Sequence, residues 1–561
     1  MRRPGDDCIT LLSQEGVTQG DPLAMIIYGL AMSPLAEQLQ KAVPRLVQPW
    51  YADDAAMGGD ASQVEKAFSL LQQLGPARGY FPEPAKSVVV TNPSLRAGVQ
   101  QLLEKFQFRY ADGHRYVGGY IGSRATRDQW LAPQIEQWVR AVKTLAKVAR
   151  RYPQTAYAGL ALSLQHEWQY LQRVTSGIKD QFVPIEQALV EDFLPALFQA
   201  SPTSIQAMRG LLELPVRQGG LGIRNPTSVA EANHTASVSA VQHLVDCLVY
   251  GTTLDLTEYR SATNASRVAS RALRLEAEET QFQWLLASSD KYAKHRIQRA
   301  CQAGGWLSIS PNRLNGTELS AEEFRDSLRL RYGLEPEHLP ANCSGCSAQN
   351  SVQHALECKV GGLVVQRHNE VAGEWHSLCA QAFTKSAVSD EPLIPSSQNR
   401  NAQRDGPNGS TTTVQAETRG DVAVRGFWKR GTTAIFDIQV SDTDAKSYRE
   451  REPLKVLDSQ EKRKKDKHLH RCLNANRQFT PLVFSVDGMR GTETSAACQR
   501  LAALLATKWG RPYSVLCGYV RSRLSVALVR TLSLCLRGSR EPRKHFPAQL
   551  ECGAGLRAFM Q

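Results

Sequence analysis

No run of about 18 apolar residues, the length a helix needs to cross a bilayer, occurs anywhere in the 561-residue chain. The opening segment Met1-Arg2-Arg3-Pro4-Gly5-Asp6-Asp7 is not followed by the apolar stretch of a secretion signal. Neither a membrane span nor export is expected, so the sequence predicts an intracellular protein. Twelve cysteines are too sparse for a disulfide scaffold at this length, and nine of them are scattered among apolar or mixed segments, where reduced, buried thiols are expected. Internal repeats are also lacking. This argues against a solenoid or an array.

What is present suits a globular chain of several cores. An apolar content of 42% with 7% aromatics can fill about three or four domains of ordinary size. The 67 Lys and Arg outnumber the 54 Asp and Glu, giving +13 and a pI near 9.2, a balance that favours polyanionic partners. Residues 446–471 are more basic still, with ten Lys or Arg against five Asp or Glu, which fits DNA-backbone contact or a nuclear-import signal. The stretch from Ser396 to Thr413, rich in Ser, Asn, Gly and Thr, reads as a flexible loop.

Three of the cysteines are clustered. Cys343, Cys346, His354 and Cys358 form C-x2-C-x7-H-x3-C, with a turn at Ser344-Gly345 and a short helix presenting His354 and Cys358. Three thiolates and one imidazole at this spacing suit tetrahedral Zn2+. Because protein fills all four positions, the metal is expected to be structural.

Two further arrangements bear carboxylates. Near the N-terminus, Gln19-Gly20-Asp21-Pro22 precedes an apolar segment, with Asp21 placed to cap a helix and Pro22 suited to its first turn. About thirty residues later Tyr51-Ala52-Asp53-Asp54 lies between a short apolar run and Gly58-Gly59, so a hairpin with Asp53 and Asp54 at its turn is predicted. Lys86 precedes the strand Val88-Val89-Val90, and the glycines of Val117-Gly118-Gly119 permit close backbone approach, as a Gly-Gly bulge in any sheet also would. Far downstream, Arg419 to Val424 and Ala434 to Val440 read as two strands joined by a turn at Lys429-Arg430-Gly431. Each strand carries one acid, Asp421 or Asp437. Two such acids with a nearby lysine could bind Mg2+, activate water and stabilise phosphate charge; solvation on an edge strand is the alternative.

In order and spacing, Glu15 to Leu23, Tyr51 to Ala55, Gly79 to Ser87 and Arg115 to Gly122 resemble successive palm motifs of reverse transcriptases. The downstream knuckle and acidic strands are similar to the restriction-enzyme-like endonuclease of site-specific non-LTR retrotransposons. The resemblance implies that Asp53 and Asp54 are palm carboxylates holding Mg2+. It further implies that Gln19, Gly20, Asp21, Pro22 and Lys86 lie beside nucleotide and template, and that Val117, Gly118 and Gly119 grip the primer. Asp421 and Asp437 become endonuclease ligands of Mg2+, with a lysine drawn from Lys464, Lys465 or Lys467. Two positions depart from the pattern: Gly420 stands where the family usually has proline, and Gln439 where many restriction-type folds have lysine.

The implied architecture is α+β and multidomain. It comprises a partial palm at 1–123, a helical thumb at 124–229, a helical linker at 230–340, a knuckle at 341–360, an endonuclease at 361–540 and a tail at 541–561. The resemblance implies an RNA template and a double-stranded DNA target as partners, no membrane, and a nuclear location. Asp6 and Asp7 are the only acids before Glu15, and they lie too close to Gln19 to supply the first palm aspartate. The chain is therefore expected to polymerise poorly, with dNTP used only if that motif is supplied. The competing expectation is a non-catalytic nucleic-acid-binding relic.

Overall fold

Asp21 precedes the first helix, which begins two residues later than the sequence suggests. Its carboxylate accepts the Leu23 N–H at 2.8 Å, and the helix, α1 (Ala24–Ala42), begins two residues beyond Pro22. A computed structural model describes residues 16–18, 20–52, 54–394 and 418–538; Gln19, Asp53, the Ser396 to Thr413 stretch and the 541–561 tail lie outside the described residues. Helices predominate over small sheets, giving an α+β chain. Among the described residues no helix is long and apolar enough to cross a membrane. The chain divides into two compact units.

One unit comprises Met1–Glu136, Trp168–Phe182 and Val229–Arg274. Met32, Leu35 and Leu39, on one side of α1, pack with Phe68 and Leu71 of α2 (Ala61–Leu74) and with Phe106 and Phe108. Edge-on ring contacts of 5.0 and 4.7 Å from Phe68 to Phe106 and Phe108 fix this small core. Between the helices, β1 (Trp50–Tyr51) and β2 (Asp54–Ala55) pair antiparallel, Tyr51 facing Asp54. β3 (Val88–Val90) runs parallel to β4 (Arg109–Ala111).

β5 (Gly113–Tyr116) and β6 (Gly119–Gly122) form a hairpin whose turn residues, Val117 and Gly118, have φ of 44° and 78°. Two left-handed residues match the twist of a two-residue hairpin, and they account for the glycine. Tyr170 of α3 (Gln165–Val174) donates its hydroxyl to the Val117 carbonyl at 2.7 Å, and a Cβ at position 118 would lie 2.8 Å from its ring. Apolar residues at helical spacings make Ala156 to Gln181 read as largely helical. Within it α3 ends at Val174, and Gly177 (φ 64°) turns the chain. Two further helices, α4 (Pro226–Tyr250) and α5 (Leu256–Ser288), are joined by a Thr263 hydroxyl to Ala240 carbonyl bond of 3.1 Å and a His243–Tyr259 ring stack.

The other unit comprises Gln137–Glu167, Val183–Ser228 and Leu275–Gln561. Leu214 to Pro226 reads in the sequence as a clear break, a thumb-end loop by the resemblance or a domain linker otherwise; here Leu214, Leu221 and Ile223 are buried, and a Cβ on Gly220 would lie 1.9 Å from the Leu214 carbonyl. Downstream come α6 (Val352–Glu357), α7 (Leu363–Ala382), β7 (Val388–Asp390), β8 (Val422–Arg425) and β9 (Thr433–Ser441). They are followed by α8 (Pro453–Asn474), β10 (Arg477–Ser485), α9 (Thr492–Trp509) and α10 (Tyr513–Arg537).

The sheet order is β10-β9-β8-β7; β7, β8 and β9 are antiparallel, whereas β10 runs parallel to β9. Parallel neighbours need a crossover, and α8 supplies it. Strand alternation then sorts the side chains. Val422, Val424, Ala434, Phe436 and Ile438 enter the main core with Trp375 of α7, Leu501 of α9 and Leu516 of α10. Ile435 points the other way, to Cys472 of α8 and Phe479. Trp375 and Phe436 meet edge-on at 5.2 Å, and burying each contributes roughly 1.5–3 kcal/mol or more. β8 and β9 are both interior strands, so Asp421 and Asp437 do not stand on a solvated sheet edge.

Candidate active site and metal centre

The knuckle is built by a turn and a short helix. Cys343 N–H donates to the Ala348 carbonyl at 2.8 Å and Ser347 N–H to the Cys343 carbonyl at 2.9 Å, curling the first pair of cysteines; Ser351 caps α6 through the His354 N–H. His354 and Cys358 then face the turn one helical turn apart. The four ligand atoms of Cys343, Cys346, His354 and Cys358 all lie within 4.8 Å of one another. Both the Cys343–Cys358 and the Cys346–Cys358 sulfur pairs are 3.8 Å apart, and Cys346 Sγ is 3.3 Å from His354 Nε2.

A tetrahedron with metal–sulfur bonds of about 2.3 Å has sulfur–sulfur edges of about 3.8 Å. The donor set therefore fits Zn2+. Burial pushes the Cys343 thiol up, but backbone N–H groups of Cys346 and Gly345 and the neighbouring His354 outweigh it, bringing the thiol down to about 6. It is thus readily available as thiolate. Ala355 and Leu356 anchor α6 to Leu532, Cys535 and Leu536 of α10.

A second cluster assembles where β8, β9, α7 and α8 converge. Val422 pairs with Phe436, and the Asp421 N–H donates to the Phe436 carbonyl at 2.9 Å, so the register places Asp421 opposite Asp437. Asp421 is fixed by both oxygens. Oδ1 lies 3.0 Å from His368 Nε2 on α7, and Oδ2 accepts the Ile438 N–H. Lys464 Nζ on α8 lies 2.8 Å from Asp437 Oδ1, with both side chains largely buried. The neighbouring lysines point elsewhere: Lys465 pairs with Glu493, and Lys467 is exposed.

These contacts shift the titrations in opposed directions. Burial raises Asp437, helped by Asp421, while Lys464 draws it back down. The hydrogen bond to Asp421 raises His368, favouring an imidazolium that screens the paired acids. His468, one turn beyond Lys464, is lowered chiefly by burial, and its ring packs against Phe479. Two carboxylates and a buried ammonium, fixed on interior strands and one helix, can hold a divalent ion and meet phosphate charge.

Both departures from the expected pattern have physical reasons. A Cβ at position 420 would lie 2.4 Å from Ile435 Cγ2, and the Gly420 N–H donates to the Pro392 carbonyl at 2.9 Å. Proline would both collide and remove the donor. Gly420→Pro is expected to lower stability by about 2–4 kcal/mol, read as a shift in urea midpoint at constant slope. An unshifted midpoint would contradict this packing. At the second departure, the Gln439 side-chain amide donates to Ser441 and to Gln460 Oε1 of α8, at 2.8 and 3.2 Å. Gln460 and Lys464 are one helical turn apart, so glutamine ties α8 to β9 while the cation arrives from the helix.

The other predicted positions belong to the unit that holds Met1–Glu136. Asp54 is exposed on β2, and Lys86 pairs with Glu83 at 2.9 Å on the surface. Gly20 and Asp21 stand exposed before α1, and Pro22 is exposed beside them. Sequence reasoning assigned no role to His368 or Gln460. Gln460, Lys464 and His468 follow one another at four-residue spacing, a signal visible in the sequence. No model of a known family matches the chain, and no curated protein matches it.

Proposed function

We propose that the chain is a portion of a non-LTR retrotransposon protein and that its C-terminal sheet is a Mg2+-dependent DNA endonuclease. The observation that carries this reading is the convergence of Asp421, Asp437 and Lys464 from β8, β9 and α8. Asp421 and Asp437 would hold the ion. When bound, Mg2+ polarises a phosphodiester and makes attacking water more acidic. His368 and the Ile438 N–H hold the Asp421 carboxylate at a fixed angle to Asp437. Lys464 neutralises Asp437 in the metal-free chain and, once released, offers its ammonium to the developing charge on the phosphate. Water adds to phosphorus and the P–O3′ bond breaks, leaving a 5′-phosphate and the 3′-hydroxyl that could prime copying of RNA.

The knuckle supports the same reading as a structural Zn2+ module beside a nucleic-acid enzyme. The hairpin of β1 and β2 is in keeping with the proposed kinship to polymerases; primer extension on an RNA template by this chain is expected to fail, and robust extension would overturn that expectation. Mn2+ is a paramagnetic substitute for Mg2+, so titration followed by electron paramagnetic resonance tests the endonuclease site directly. The chain should bind about one ion with loss of affinity in Asp421→Asn and in Asp437→Asn. Equal Mn2+ affinity in all three proteins would instead favour a non-catalytic nucleic-acid-binding relic.

A further inference from the structure

We infer that α5 carries a second nucleic-acid contact, a stripe of arginines that binds the phosphate backbone of a duplex. Arg260, Arg267, Arg271 and Arg274 are exposed on this helix, and residues 259–275 contain no acid. At about 100° per residue the four fall within roughly 60° of one another and span about 21 Å, or some six base pairs of duplex at about 3.4 Å each. Among the described residues, Arg260, Arg267 and Arg271 have no carboxylate partner. α5 has no buried residue along its whole length, so burial in a core does not explain these side chains. Its contacts with α4 run through Tyr259 and Thr263, about 90° and about 50° from the middle of the stripe.

Arg260, Arg267 and Arg271 are three like charges on one rigid face and repel each other, an arrangement that a polyanion relieves. The chemistry of the stripe also selects the form of the polyanion. Proteins that hold single strands set aromatic rings beside basic groups to stack unpaired bases. This stripe has none, and Tyr259 is engaged with His243. Guanidinium groups without stacking partners fit the regular phosphates of a duplex, where they bind without reading sequence.

The contact is separable from the endonuclease site, because it requires no metal. Binding of the full chain to labelled duplexes of roughly 20 base pairs, DNA and RNA–DNA hybrid, is to be measured by fluorescence anisotropy in EDTA-free buffer without added Mg2+ over a range of salt. The variant R260Q/R267Q/R271Q should weaken binding about tenfold or more at about 0.1 M salt and reduce the slope of log K against log salt by about three. Replacing the same three residues by lysine should retain the slope, which also reports that the helix is intact. Single-stranded DNA of the same length and vesicles containing phosphatidylserine serve as competing probes. An unchanged duplex slope, or a loss seen only with single strands or only with vesicles, would overturn the assignment. Neither result would bear on Mn2+ binding at Asp421 and Asp437.

Discussion

Lys464→Ala is expected to slow Mg2+-dependent nicking of supercoiled DNA by about 10²–10³-fold, the scale of removing one preorganised donor from a developing charge. Lys465→Ala and Lys467→Ala should remain within about threefold of the parent, because Lys465 pairs with Glu493 and Lys467 is exposed. The difference arises from position, since all three are lysines on one helix. Only Lys464 meets Asp437, at 2.8 Å. Loss of its charge also removes the influence that holds Asp437 down against burial, so the carboxyl should titrate higher in the variant. The pH at which nicking reaches half its maximum should rise accordingly, a change that simple loss of DNA affinity would not produce. Equal rates in the three variants would contradict the assignment.

The second large effect concerns Zn2+. Binding at a knuckle of this type contributes roughly 10–16 kcal/mol to local folding at neutral pH, because the unfolded chain has no preformed site. Cys358→Ser should therefore reduce zinc from about one ion per chain to near none and expose the Ala341 to Cys358 segment to protease. Strong chelation of the parent chain should do the same. The rest of the second unit has a separate core around Trp375, Phe436 and Leu501, so it should keep most of its helical signal. Protease resistance without zinc would show that the knuckle does not need metal.

How far these features are legible in the sequence depends on how local their causes are. The four zinc ligands are readable because their spacing sets the geometry, and the structure brings all four within 4.8 Å. Asp421 and Asp437 could be paired because alternation placed each on a strand. The choice of lysine could not be made, since it follows from the register of α8 on β9, fixed by contacts such as Gln460 with Gln439. Gly420 looked like a weakness in the pattern until Ile435 was placed beside it. The Leu214 to Pro226 break was visible, but burial of Leu221 and Ile223 depends on distant partners. The Ala156 to Gln181 segment reads as largely helical from its apolar spacing, and the chain turns within it at Gly177.

The N-terminal motifs were legible as local shape. Tyr51 and Asp54 face each other in an antiparallel pair, and Val117-Gly118 forms a tight bend. Their chemistry requires carboxylates from more than one strand, which local shape does not supply. The cluster of Asp421, Asp437 and Lys464 differs because strand register sets the two acids opposite each other and Lys464 pairs with Asp437.

Nicking of supercoiled DNA by the purified chain, with and without Mg2+ and beside Asp437→Ala, is the most direct measurement. The account predicts open-circular product that requires Mg2+ and is lost in the variant. Nicking of equal rate in both proteins, or none in either, would contradict it.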